Sequence, residues 1–147
     1  MAIAAAVTAA NLYYCQPLLS QIARSLHMTA RETADIPMLT QIGYGLGLLF
    51  FAPLGDMVGR RGLAMALLLI VTVALVGTAS APDRWVLLAT SLITGIFGVV
   101  PQVMAPMASA LSKTESQGRA VGIVLGGMLI GILLARTVAG FVGTWFG

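Results

Sequence analysis

Charge is what this sequence most lacks. Only 9% of its 147 residues are Asp, Glu, Lys or Arg, against about 25% in ordinary soluble domains, while 59% are hydrophobic. A chain of this size has too little interior to hide that much apolar surface, which excludes a water-soluble domain. Cysteine is equally scarce. Cys15 stands alone and His27 is the single histidine, so a disulfide framework is ruled out and the paired spacing of a zinc site is missing. No metal or cofactor is expected. The basic residues are scattered, without the stripe and interleaved aromatics that nucleic-acid binding requires, so nucleic acid is not an expected partner.

What the sequence does contain is long runs without charge. They extend from Met1 to Ala23, Ile36 to Gly55, Gly62 to Pro82, Trp85 to Ser112, and Ala120 to Gly147, the last broken only by Arg136. Each reaches the ~20 residues that a helix rising ~1.5 Å per residue needs to cross ~30 Å of hydrocarbon, where helices satisfy their own backbone hydrogen bonds. The pattern predicts an all-α fold, a polytopic transmembrane helical bundle of about five spans in the lipid bilayer. The spans are expected near residues 1–19, 30–54, 63–79, 82–110 and 117–143. The first run lacks a charged leader and feeds further hydrophobic runs, so it reads as a retained helix rather than a signal peptide.

Local signals refine these bounds. Thr29-Ala30-Arg31-Glu32 fits a capping box, and Ser112-Lys113-Thr114-Glu115 repeats the pattern before the fifth span. Pro82 is expected in the first turn of the fourth span, which should bend further on, at Gly95, Gly98, Pro101 and Pro106. Asp35 complements the dipole at the start of the second span, and it is the nearest candidate for a coupling proton, since no carboxylate lies deep in a run. Trp145 and Phe146 suit a membrane interface. Arg60, Arg61, Lys113 and Arg119 fall on one side, and Arg24, Arg31 and Arg84 on the other. The positive-inside bias then places the N-terminus in the cytoplasm and the C-terminus outside.

The segment between the second and third spans reads Ala52-Pro53-Leu54-Gly55-Asp56-Met57-Val58-Gly59-Arg60-Arg61-Gly62. It resembles the Gly-x-Leu-Ala-Asp-Arg-x-Gly-Arg-Lys signature of the major facilitator superfamily. Leu54, Asp56, Gly59, Arg60 and Arg61 match in order, while Ala52 replaces the first Gly and Met57 the first Arg. So short a connection is expected to use Gly59 for a turn that a side chain would resist, and Asp56 can accept from amides or pair with a basic neighbour. The resemblance implies that Asp56, Gly59, Arg60 and Arg61 form a conformational latch reaching across to the other half of a carrier. The plainer alternative is a positive-inside stop signal.

Asn11-Leu12-Tyr13-Tyr14-Cys15-Gln16-Pro17-Leu18-Leu19 looks like the Asn-Leu-Tyr-Tyr-Asn-Gln-Pro-Leu-Leu segment of a bacterial, exporter-like subgroup, with Cys15 replacing Asn. Polar groups at membrane depth are costly unless they face protein or a wet cavity, so Asn11, Tyr14 and Gln16 are substrate-path candidates. Hydrogen bonding between helices explains them equally well. Family carriers are built from inverted three-helix repeats in which the first and fourth spans correspond. Gln16-Pro17 and Pro101-Gln102 fit that correspondence, which adds Gln102 to the path. Two ordinary prolines, tolerated in membrane helices, are the alternative.

In the fifth span Gly127, Gly131, Ala135, Ala139 and Gly143 recur every four residues, a small-residue stripe suited to close helix packing. The same stretch aligns loosely with the antiporter motif Gly-x-x-x-Gly-Pro-x-x-Gly-Gly. Gly131 and Gly140 match it, Ala135 and Ala139 are small replacements, and Arg136 takes the Pro position. Ser91 stands where a companion drug-antiporter motif carries Arg. Arg136 costs about 2.5–3.5 kcal/mol at mid-helix. It can bind an anionic substrate, pair with a carboxylate, or snorkel to the outer interface.

The resemblance implies transport of a small solute of unknown identity by alternating access, with efflux suggested by the exporter-like subgroup, in a bacterial inner membrane. Family members carry about twelve helices in two halves. This chain is therefore expected to be a fragment, inactive alone, whose partners are the missing C-terminal helices or another membrane chain. The alternative is a non-transporting membrane scaffold or subunit that associates through the small-residue stripe. An intramembrane enzyme is not expected: Gly55-Asp56 lacks the Gly-x-Gly-Asp context of membrane aspartyl proteases, and His27 has no visible nucleophile partner.

Overall fold

The computed structural model describes residues 2–13 and 15–146, without the side chains of Cys15, Pro17, Ser20, Asp56 and Phe146. The described residues form α1 (Ala2–Asn11), α2 (Cys15–Ser25), α3 (Ala30–Met57), α4 (Arg60–Ala79), α5 (Arg84–Phe97), α6 (Val100–Ala110), a 3-10 turn (Thr114–Ser116) and α7 (Gln117–Phe146). No strand occurs among them. Among the described residues, 4 helices are long and apolar enough to cross a membrane, Ala30–Gly55, Arg60–Ala79, Arg84–Ala110 and Thr114–Trp145, while Ala2–Asn11 is a shorter apolar helix.

The first span differs from the single helix expected over 1–19. It is two helices, interrupted after Asn11 and continuing to Ser25. Pro17 has no N–H to donate to the Tyr13 carbonyl, and the Gln16 N–H takes that carbonyl instead, at 3.3 Å. The far end of α2 closes in a Schellman turn. Met28 N–H reaches the Ala23 carbonyl at 2.8 Å and His27 N–H the Arg24 carbonyl at 3.4 Å. His27 occupies the left-handed position at φ 50, where Gly is usual.

Helix starts follow side-chain chemistry, with two corrections. At α3 the capping box forms: Thr29 N–H donates to Glu32 Oε2 at 2.8 Å, and Glu32 N–H to Thr29 Oγ1 at 3.4 Å. At α5 the cap is Asp83, whose Oδ1 accepts from Val86 N–H at 2.9 Å, so Pro82 precedes the helix instead of lying in its first turn. The expected box at Ser112 does not form. Its hydroxyl donates back to the Ala108 carbonyl at 2.8 Å, and the 3-10 turn intervenes before α7. At the starts of α3 and α5, Arg84 pairs with Glu32 and lies over the Trp85 ring.

Packing pairs α3 with α5, α1 with α7, and α4 with both α5 and α6. Backbone contact at glycine makes the first two crossings close. A Cβ on Gly43 would sit 2.5 Å from the Leu92 carbonyl oxygen, and one on Gly47 or Gly95 would run into the Ile96 or Thr40 carbonyl. One core joins Ala5, Leu67, Val100, Val103 and Val124 across α1, α4, α6 and α7. Leu49, Leu69, Val73 and Leu133 point outward and exposed, as a lipid-facing surface allows.

Candidate functional site

The segment expected to act as a latch lies where α3 gives way to α4 through Val58 and Gly59 alone. Gly59 adopts φ −56 and ψ 109, and nothing lies within 4 Å of a Cβ placed on it. Neither a left-handed turn nor a close approach calls for glycine there, contrary to the expectation from the short connection. Arg60 Nε donates to the Gly55 carbonyl at 3.2 Å, which tucks the guanidinium arm against the last turn of α3. Arg61 is exposed. The Asp56 side chain lies outside the described residues, as does Tyr14.

The fourth span breaks as the first does. Pro101 cannot donate to the carbonyl four residues back, and the N–H of Gln102 takes the Val99 carbonyl at 3.0 Å, three residues back. In both spans the interruption therefore comes just before a Pro-Gln or Gln-Pro pair, and it turns each glutamine side chain to a different neighbour. Gln102 Nε2 donates to Tyr44 Oη on α3 at 3.0 Å. Gln16 Oε1 accepts from Arg136 Nη2 on α7 at 2.6 Å, and the Arg136 guanidinium lies 5.6 Å from the centre of the Tyr13 ring. The structure thus joins Gln16 to Arg136 and places Gln102 apart from them.

Two cavities flank these groups. Asn11 and Gln16 help to line a space of about 20 Å³ together with Thr40, Thr78, Ser91 and Thr94, room for about one water. Thr94 Oγ1 is buried without a hydrogen-bond partner among the described residues. Thr94→Val, which removes that hydroxyl at constant volume, is expected to leave stability unchanged or raise it by about 1 kcal/mol, measured by thermal unfolding in detergent. A clear loss would mean that the hydroxyl bonds a water in this cavity. The second cavity, about 200 Å³, has Gly55, Arg60, Gln102 and Pro106 in its wall. It brings Arg60 and Gln102 to one space.

The small-residue stripe of α7 faces the first span. Cβ atoms on Gly127 or Gly131 would strike the backbone of Ala2 or Ala6. Ala135 and Ala139 are buried, and the Gly143 carbonyl accepts from Gln21 Nε2 at 2.5 Å. Sequence reasoning missed Tyr44 and the Gly43–Gly47 pair. Their signals were the one tyrosine in a charge-free run and glycines at the spacing of a close crossing.

Comparison with known proteins places this geometry in context. The profile of the Major Facilitator Superfamily matches residues 1–147. The chain is 41% identical over 142 residues to the "Uncharacterized transporter YgaY" of Escherichia coli O157:H7, covering 97% of this chain and 36% of that protein. It is 39% identical over 147 residues to the "Probable transporter SCO4007" of Streptomyces coelicolor, covering 100% of this chain and 34% of that protein. A "Multi-drug resistance efflux pump PmrA homolog" of Lactococcus lactis is 32% identical over 110 residues, 74% of this chain and 27% of its own length. The chain spans about a third of the length of the first two relatives.

Proposed function

The chain belongs to the major facilitator superfamily and is an integral multi-pass membrane protein, and we propose that it supplies the first spans of a carrier that moves a small solute by alternating access. The observation that carries this reading is the pair of matched interruptions before Gln16-Pro17 and Pro101-Gln102, in segments that correspond in an inverted repeat. Broken helices at matching positions are where such carriers hold their substrates. The stripe on α7 is covered by α1 and α2, so it is not open to a further partner as the scaffold alternative requires.

In this proposal the membrane is the bacterial inner membrane, with the N-terminus and the latch on the cytoplasmic side and the direction outward. Further helices complete the path, and these residues alone carry no saturable flux. The reading predicts that cells expressing the carrier retain less of a fluorescent probe, either cationic ethidium or anionic carboxyfluorescein, than cells without it. Gln102→Leu, which breaks the Tyr44 contact beside the latch cavity, is expected to abolish that difference without changing the amount of protein in the membrane. Equal retention of both dyes with and without the carrier would count against outward transport.

A further inference from the structure

We propose that Arg136, Gln16 and Tyr13 form a binding site for an oxyanion, a carboxylate or phosphate-type group, where α7 meets the first span. The inference rests on the carrier reading above and names the substrate class of that path. The chain has five acidic residues, Glu32, Asp35, Asp56, Asp83 and Glu115, and all lie near helix ends. Arg136 lies deeper, about 10 Å beyond the middle of the Thr114–Trp145 span at ~1.5 Å per residue. Its contacts among the described residues are the Gln16 side-chain oxygen at 2.6 Å and the face of Tyr13.

Both partners are neutral. They hold the exposed guanidinium against the first span and leave its charge uncompensated. A guanidinium carries five N–H donors in a planar fork matched to carboxylate and phosphate oxygens, and Gln16 engages one of its two terminal nitrogens. If this arginine served only as a tether between α7 and α2, a glutamate at position 16 would hold it more tightly. The glutamine keeps the geometry while the positive charge remains for a ligand, at a depth where an unneutralised charge is costly.

The oxyanion can come from a solute or from a lipid headgroup, and binding in nanodiscs separates the two. In phosphatidylcholine discs, radiolabelled benzoate is expected to bind saturably and to be displaced by phenylphosphonate but not by benzyltrimethylammonium. R136Q should weaken that binding at least about tenfold, with R136K intermediate and helix content unchanged by circular dichroism. Q16E places a carboxylate on the guanidinium, so it should raise the unfolding temperature and abolish benzoate binding. Phosphatidylglycerol that displaces benzoate from the wild type, and raises its unfolding temperature but not that of R136Q, would identify the lipid headgroup as the source.

Binding of both anions independent of Arg136 overturns the proposal. A carrier that exports dye while its benzoate binding is absent, or is the same in R136Q, keeps the carrier reading and removes the anion site. Arg136-dependent benzoate binding in a chain whose carrier moves neither dye keeps the site and removes the carrier reading.

Discussion

Gly95→Ala should destabilise the bundle by about 3 kcal/mol, even though alanine favours a helix over glycine by about 1 kcal/mol. The added methyl would meet the Thr40 carbonyl oxygen and its carbon, which are backbone atoms of α3. A flexible side chain can rotate away from such a clash. Backbone cannot, so α3 and α5 must separate and lose the dispersion contacts along their shared face. In lipid those contacts matter more than usual, because no hydrophobic driving force holds two apolar helices together. Gly45→Ala is the internal control: it lies on α3, the partner helix, with nothing among the described residues within 4 Å of its Cβ, and it should be neutral or mildly stabilising. Detergent or urea unfolding that ranks the two variants equally would show that the crossing is looser than described.

Asp56→Asn and Arg60→Ala are expected to reduce transport by the intact carrier at least about tenfold while leaving its unfolding temperature nearly unchanged. An element that holds one of two conformations closed contributes through the difference between them, typically about 1–3 kcal/mol or 5–150-fold. Arg60 is suited to this role. Its Nε is anchored on the Gly55 carbonyl at 3.2 Å, and the side chain borders the same cavity of about 200 Å³ as Gln102. The check is dye export together with maleimide labelling of a cysteine introduced at Met57. Loss of export with labelling altered supports the latch. Full export in both variants would reduce the segment to a topology signal.

Much of the architecture was readable in advance where the cause is local. The bend ahead of Pro101 was legible in this way, but Pro37, Pro53 and Pro106 lie inside helices that continue through them, the interruption of the first span was not expected, and the extent of α2 to Ser25 depended on a Schellman turn with His27 in a position that favours glycine. The two apparent capping boxes show the limit of pattern. Thr29 and Glu32 close theirs. Ser112 instead bonds its own preceding turn, because the chain enters a 3-10 turn before α7. Gly59 was expected to adopt a conformation that it does not need. Within the candidate site, Asn11, Gln16, Gln102 and Arg136 were visible as polar groups in apolar runs. That Gln16 meets Arg136, and that Gln102 meets Tyr44, was not visible, since each pair joins different helices.

The amino-acid order settled that this chain is a set of membrane-crossing helices, roughly where they begin, and that the fourth of them bends. Those outcomes follow from transfer of apolar groups out of water and from backbone hydrogen bonding, both of which act along the chain. Which helix touches which, and which polar groups converge, was settled only by folding. When a helix is apolar on every side its periodicity does not tell how it is rotated, and in lipid the partner is chosen by how closely two backbones fit. Glycines such as Gly47 and Gly131 show that fit only once the opposing carbonyls are in place.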